Sequence, residues 1–316
     1  MNKIQPKKAL RDVFGNHLVN LGKKNKKICV VSCDLKSATK TSNFFNIFPN
    51  RSFEVGIAEA NGLGVATGLA LQGFIPIISS FGAFITGKFL EIRTSISYNN
   101  VPVKIIGTHG GFIGKDGATQ SGTQDLSLMT SLPNFEVFQP CSPIETIEIL
   151  NYIVKSKKPS YVRICRNAVD EIYNKNYTFK PGMPREIIKS KSNILISSGP
   201  LIHNCLNAIK LLKKKGIDVG LVNISSIKPF NFNLLSKILK KKKNILIVED
   251  HVSNGGISGL VYETLAKSKD TVNNIKSLNL DEKFSESGTP NDLEKANGFD
   301  PENIAKFFNG KFNLAK

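Results

Sequence analysis

Short runs of apolar and β-branched residues recur along this chain, each followed by a stretch with apolar residues at helical spacing. The runs at 28–33, 74–79, 102–107, 135–139 and 161–165 lack polar alternation, so they predict strands buried on both faces. Helical patterns at 9–21 (closed by Gly22), 57–71, 88–98 and 144–154 accompany them. The alternation predicts an α/β fold: a doubly wound, mostly parallel sheet. Between 168 and 192 the pattern lapses into polar and turn residues, among them Pro181-Gly182 and Pro184, and it resumes at 193. Strands at 193–197, 218–223 and 244–248, with helices at 203–214, 233–240 and 257–267, make a second, smaller α/β unit. The expectation is two domains, 1–168 and 193–316, joined by a linker over 169–192. A chain of 316 residues is long enough for each to bury its own core.

Charge bears on partners. The formal net charge of +18 would suit nucleic acid or small anionic substrates. The lysines gather at helix-to-strand junctions (23–27, 213–215, 240–243) without interleaved aromatics, so small anions are expected and nucleic acid is not. No apolar run reaches the roughly 18 to 20 residues that span a bilayer, and the opening MNKIQPKKALRD lacks the apolar core of a secretory signal. A soluble cytoplasmic chain without a membrane partner is expected. Cys29, Cys33, Cys141, Cys165 and Cys205 read as reduced core residues.

Three stretches of the first domain depart from ordinary α/β composition. The helix at 57–71 is packed with small residues and carries one acid, Glu59. That carboxylate could complement the helix dipole, or, in so apolar a setting, meet a buried partner. Phe81 and Phe84 flank Gly82-Ala83 at the end of a strand, as core residues or as a platform for a ring. Six glycines within 107–125 make a shaped loop at a strand's carboxyl end, where α/β sheets bind ligands. His109 at its start, near Asp116, is a structural histidine or a general acid/base.

Taken together and in this order, Cys33-Asp34-Leu35, Gly56-Ile57-Ala58-Glu59, Phe81-Gly82-Ala83-Phe84 and Thr108-His109 leading to Asp116-Gly117-Ala118-Thr119 resemble the transketolase family, nearly end to end from Lys8 to about Asn309. The likeness is to the short, two-subunit members, in which the pyrimidine-binding and C-terminal domains form one chain. It implies thiamine diphosphate as cofactor. Glu59 would hydrogen-bond the aminopyrimidine N1′ and so promote removal of the thiazolium C2 proton; Phe81 and Phe84 would pack on the pyrimidine; Asp34 would lie near the cofactor and the subunit interface. A two-carbon ketol unit would pass from a ketose to an aldose. His109 and Asp116 match the family's contacts to the donor hydroxyls, with His109 assisting proton movement. Arg11 and Arg166 match arginines that hold a sugar phosphate; otherwise they are solvated or ion-paired.

Two departures from the family pattern stand out. Gln120 occupies a position where many bacterial members have histidine, which leaves it a hydrogen-bonding role. Ser37 and Ala38 lie where the family often has a phosphate-binding serine. The family's Gly-Asp-Gly followed by Asn, which ligates Mg2+ and diphosphate, is absent; the nearest match, Lys115-Asp116-Gly117, has no such sequel, so no metal ligand is expected in this chain. The resemblance therefore implies a diphosphate-binding N-terminal subunit as partner, in an α2β2 assembly. Glu249-Asp250-His251 could suggest a metal site; the likeness favours a structural or interface role. Within the same cofactor class the alternatives are a 1-deoxyxylulose-5-phosphate synthase and a 2-oxoacid decarboxylase β subunit. From another class, the alternative is a noncatalytic interaction or regulatory subunit.

Overall fold

The computed structural model describes residues 6–111, 114, 116–268, 274–281, 283, 284 and 286–314. Its strands, in chain order, are β1 (Lys8–Ala9), β2 (Ile28–Ser32), β3 (Ser52–Glu54), β4 (Ile75–Phe81), β5 (Lys104–Thr108), β6 (Glu136–Phe138), β7 (Ser160–Ile164), β8 (Ala168–Val169), β9 (Arg185–Ile188), β10 (Asn193–Ser197), β11 (Gly220–Asn223), β12 (Ser226–Lys228), β13 (Asn244–Val248) and β14 (Asn274–Leu278). A seven-stranded sheet runs β12-β6-β7-β5-β4-β2-β3 and a five-stranded sheet runs β14-β13-β10-β11-β9. Within these two sheets all pairs are parallel except β12 with β6 and β11 with β9, at one edge of each, and β1 pairs with β8 antiparallel in a separate ribbon. The fold is α/β with two mostly parallel sheets.

Residues of successive strands alternate between two apolar layers, as the pleat requires. Val30, Ile77 and Ile106 face helices Leu10–Lys24 and Pro143–Ile153. Val31, Ile78 and Ile105 face the other way, against helix Glu59–Leu71, in a cluster that continues into Ile194, Val222 and Ile245 of the second sheet. A third layer packs helices Leu201–Lys214 and Pro301–Phe312 on the far face of the second sheet.

The chain crosses between its halves in two ways that the strand rhythm does not foretell. Segment 169–192, expected as a linker, carries β9, the antiparallel edge of the second sheet. Strand β12, from the C-terminal half, closes an edge of the first sheet by pairing with β6. β3 and β14 are further strands without a sequence expectation. No helix among the described residues is long and apolar enough to cross a membrane. All five cysteines are buried and unpaired.

Candidate active site

The carboxyl ends of the parallel strands gather the chemistry-bearing residues, as expected where a doubly wound sheet changes direction. Asp34 follows β2, Glu59 opens the helix after β3, Phe81 ends β4, His109 follows β5 and Arg166 follows β7; Arg11 comes from the first turn of the first helix. Glu59 is 7% exposed, and among the described residues Ser80 is its one hydrogen-bond partner, the hydroxyl donating to Oε1 over 2.9 Å. Phe81 and Phe84 are half-buried and stacked, with centroids 5.2 Å apart and planes 13° from parallel. Phe81 also lies against the His109 ring at 3.8 Å.

His109 is buried with a left-handed backbone, φ +57°. Arg11 approaches its Nε2 at 3.3 Å and Thr108 Oγ1 its Nδ1 at 3.0 Å. Burial, reinforced by Arg11 and Arg166, pushes its pKa down to about 3, so the ring is neutral at physiological pH. Arg11 also donates to the Ala38 carbonyl, and its Nε is buried without a partner among the described residues. Burial and Arg166 lower the pKa of Arg11 as well, although a guanidinium keeps its charge. Gln120 Oε1 is likewise buried without a partner. Uncommitted polar atoms of this kind are costly unless something else binds them.

Arg166 and Asp116 pair at 2.9 Å on the rim, both more than a third exposed. Arg11 and Arg166 border a cleft of about 510 Å3 between the two halves, with Lys7, His203 and Asn204. Asp34 stands apart: its side chain is exposed, its φ is +59°, and its N–H donates to Glu54 Oε1 at 2.7 Å. Phe112, Ile113 and Lys115 of the glycine loop lie outside the described residues.

Beneath the loop is a network that the motifs did not connect. Arg163, fully buried in β7, donates to Asp250 Oδ1 at 2.8 Å, to the Gly122 carbonyl at 2.8 Å and to the Asp250 carbonyl at 3.0 Å; its Nε lies 3.2 Å from Asp125 Oδ1. Tyr161 donates to Asp125 Oδ2 at 2.6 Å. Burial works against the charge of Arg163, but Asp125 and Asp250 outweigh it and raise its pKa. Burial raises the pKa of Asp250, against Arg163. A Cβ on Gly111, φ +73°, would lie 1.9 Å from Asp250 Oδ2, and one on Gly107 would lie 2.1 Å from the Tyr161 hydroxyl. Only glycine lets the loop lie this close to the network.

Glu249, Asp250 and His251 face three ways. Glu249 accepts the Ile257 and Ser258 N–H groups and the Ser258 hydroxyl, which caps helix Ile257–Lys267. Burial nevertheless raises its pKa to about 7. His251 accepts Ser127 N–H on Nε2 and donates from Nδ1 to the Val252 carbonyl. One signal in the sequence could have pointed to Arg163: a charged residue inside an otherwise apolar, doubly buried strand needs partners.

Residues 6–171 match the transketolase pyrimidine binding domain, and residues 186–304 match the transketolase C-terminal domain. The chain is 34% identical over 304 residues to a transketolase C-terminal section from Methanocaldococcus jannaschii, covering 95% of each. It is 30% identical to the 1-deoxy-D-xylulose-5-phosphate synthase of Clostridium tetani over 93% of this chain, and there it spans only about half of the relative, 47%. Among solved structures, a split-gene transketolase in an inactive β4 tetramer superposes with a TM-score of 0.88 at 33% identity, covering 98% of this chain and 99% of that one. With its pyrimidine-binding and C-terminal domains in one polypeptide, and its likeness to split-gene members, the chain belongs to the transketolase family.

Proposed function

We propose that this chain is the C-terminal subunit of a two-subunit, thiamine-diphosphate-dependent transketolase, moving a two-carbon ketol unit from a ketose or its phosphate to an aldose or its phosphate. One observation carries the reading. At the carboxyl ends of β4 and β5, a buried carboxylate with a single hydrogen bond among the described residues, a stacked phenylalanine pair and a neutral histidine held by an arginine converge.

The residues fit the pyrimidine half of the cofactor. Glu59 has acceptor capacity left for a ring nitrogen, and Phe81 and Phe84 offer an aromatic surface that orients a ring without demanding charge. When bound, thiamine diphosphate supplies the nucleophilic carbon and the electron sink. Glu59, with Oε2 free of partners among the described residues, would hold the pyrimidine and relay a proton to it. His109, neutral and within reach of Arg11, accepts a hydrogen bond from a substrate hydroxyl. Gln120 Oε1 takes a second hydroxyl, and Arg11 Nε with Arg166 binds a terminal phosphate at the mouth of the interdomain cleft. Asp116, held by Arg166, reaches the donor hydroxyls.

The Mg2+ and diphosphate site belongs to the partner, an N-terminal subunit that completes two sites in an α2β2 assembly. The similar split-gene chain in its inactive β4 tetramer is what a half-site without its complement would give. The likeness to the synthase supports a second reading, in which the same half-site serves a different donor. Assay of the reconstituted pair against ketoses and 2-oxoacids separates the two. Glu59→Ala should cut ketol transfer by the reconstituted pair at least about 100-fold, with the assembly unchanged in native mass spectrometry. Near-normal turnover would contradict the assignment.

A further inference from the structure

Ser80 sits in β4 beside β5, where Phe81 pairs with Thr108 and Ser80 with Gly107. Its two polar groups serve two different catalytic candidates. The hydroxyl donates to Glu59 Oε1 at 2.9 Å, and the carbonyl accepts Thr108 Oγ1 at 3.2 Å. Thr108 Oγ1 is in turn 3.0 Å from His109 Nδ1. The direction of each proton follows from what each group can do. A guanidinium only donates, so His109 Nε2 accepts from Arg11. The neutral ring then carries its proton on Nδ1 and gives it to Thr108 Oγ1, whose own proton goes to the Ser80 carbonyl. Ser80 and Thr108 are both fully buried, so water cannot replace either contact.

We infer that Ser80 is a positioning residue for the transfer reaction: its hydroxyl acts on Glu59, and its backbone carbonyl, which any residue there would keep, acts on His109 through Thr108. Its hydroxyl fixes one carboxyl oxygen of Glu59 and leaves the other for the cofactor. Through Thr108, its carbonyl sets the histidine tautomer that keeps Nε2 unprotonated toward Arg11. The inference rests on the roles proposed above for Glu59 and His109. The neighbouring Ser79 is an internal comparison: it is equally buried in the same strand, but its hydroxyl donates only to the Ile106 carbonyl.

The test uses the reconstituted two-subunit enzyme carrying Ser80→Ala, Ser80→Thr, Ser79→Ala, Thr108→Val or Glu59→Gln, reading kcat, its pH profile and thiamine diphosphate affinity by calorimetry. Ser80→Ala should lower kcat about 10- to 100-fold, weaken cofactor binding several-fold and shift the pH profile. Ser80→Thr, which keeps the hydroxyl, should restore most of the loss, and Ser79→Ala should resemble the unsubstituted enzyme. Thr108→Val touches only the His109 branch, so kcat should fall about 10-fold with cofactor affinity unchanged. Wild-type kcat and pH profile in Ser80→Ala, or an equal loss in Ser79→Ala, would overturn the inference while leaving the function intact if Glu59→Gln is inactive. An active Glu59→Gln enzyme would overturn both.

Discussion

Two buried glutamates of the same chain have opposite surroundings. Glu145, fully buried where the two halves meet, accepts Cys141 N–H on Oε2 at 2.8 Å, the Tyr177 hydroxyl on Oε1 at 2.7 Å, and Asn223 Nδ2 on both oxygens at 3.1 and 3.2 Å. Glu59, almost as buried, has Ser80 alone among the described residues. The arginines differ in their countercharges. Arg163 in the seam donates to Asp250 and Gly122 and sets its Nε 3.2 Å from Asp125, whereas the buried Nε of Arg11 at the site has neither a hydrogen bond nor an ion pair among the described residues. Burial alone therefore does not mark a functional residue, and neither does unused capacity alone, since Asn223 Oδ1 beside Glu145 also lacks a partner among the described residues; unused capacity where several chemistry-bearing side chains converge is the better sign.

The same substitution at both glutamates makes the contrast measurable. Glu59→Gln should lower turnover of the reconstituted enzyme about 1000-fold and leave the thermal midpoint of this chain nearly unchanged. Glu145→Gln should do the reverse, because its new amide would face groups that donate: a loss of about 3 kcal/mol in denaturant unfolding with the site chemistry spared in whatever remains folded. Equal stability losses at the two positions would erase the distinction.

A smaller effect comes from the histidines, neutral in both regions. Burial, with Arg163, pushes the pKa of His251 down to about 4, and burial with Arg11 and Arg166 pushes that of His109 to about 3. An unfolded histidine takes its proton near pH 6.5, so the unfolded state binds more protons below that point. Stability present above pH 6.5 should be lost as pH falls toward 4, by on the order of 2 kcal/mol for each histidine. His251→Gln, whose carbonyl can still accept Ser127 N–H, should flatten this acid limb in melts between pH 7.5 and 4.5. An unchanged limb would show that the seam histidine is already protonated when folded.

Strand-helix rhythm made the α/β architecture legible, because doubly buried strands such as 193–197 and 244–248 are written as unbroken apolar runs. The four edge strands β3, β9, β12 and β14 escaped it, and the two antiparallel ones show why. β9 lies in a polar stretch and β12 is three residues long, so neither carries a pattern; what places them is pairing with β11 and β6. At the site, the isolated acid Glu59, the Phe81–Phe84 pair and His109 could be singled out from the sequence, and the structure brings them together with Arg11. Ser80 and Thr108 could not, since a serine or threonine in a strand gives no sign of which group its hydroxyl meets. Nor could the Asp125–Arg163–Asp250 network be read from the sequence, because its members are 38 and 87 residues apart and Asp250 joins only when the halves dock. Asp34 shows the converse: its motif drew notice, yet its exposed side chain stands outside the cluster.

We propose that this chain holds half of a thiamine diphosphate site. Calorimetric titration of the cofactor with Mg2+ into this chain alone, into its diphosphate-binding partner alone and into the mixed pair tests it most directly. The pair should bind tightly, at one cofactor per pair of subunits, and either chain alone should bind little. Equal binding by the partner alone and by the mixture, or none by the mixture, would contradict it.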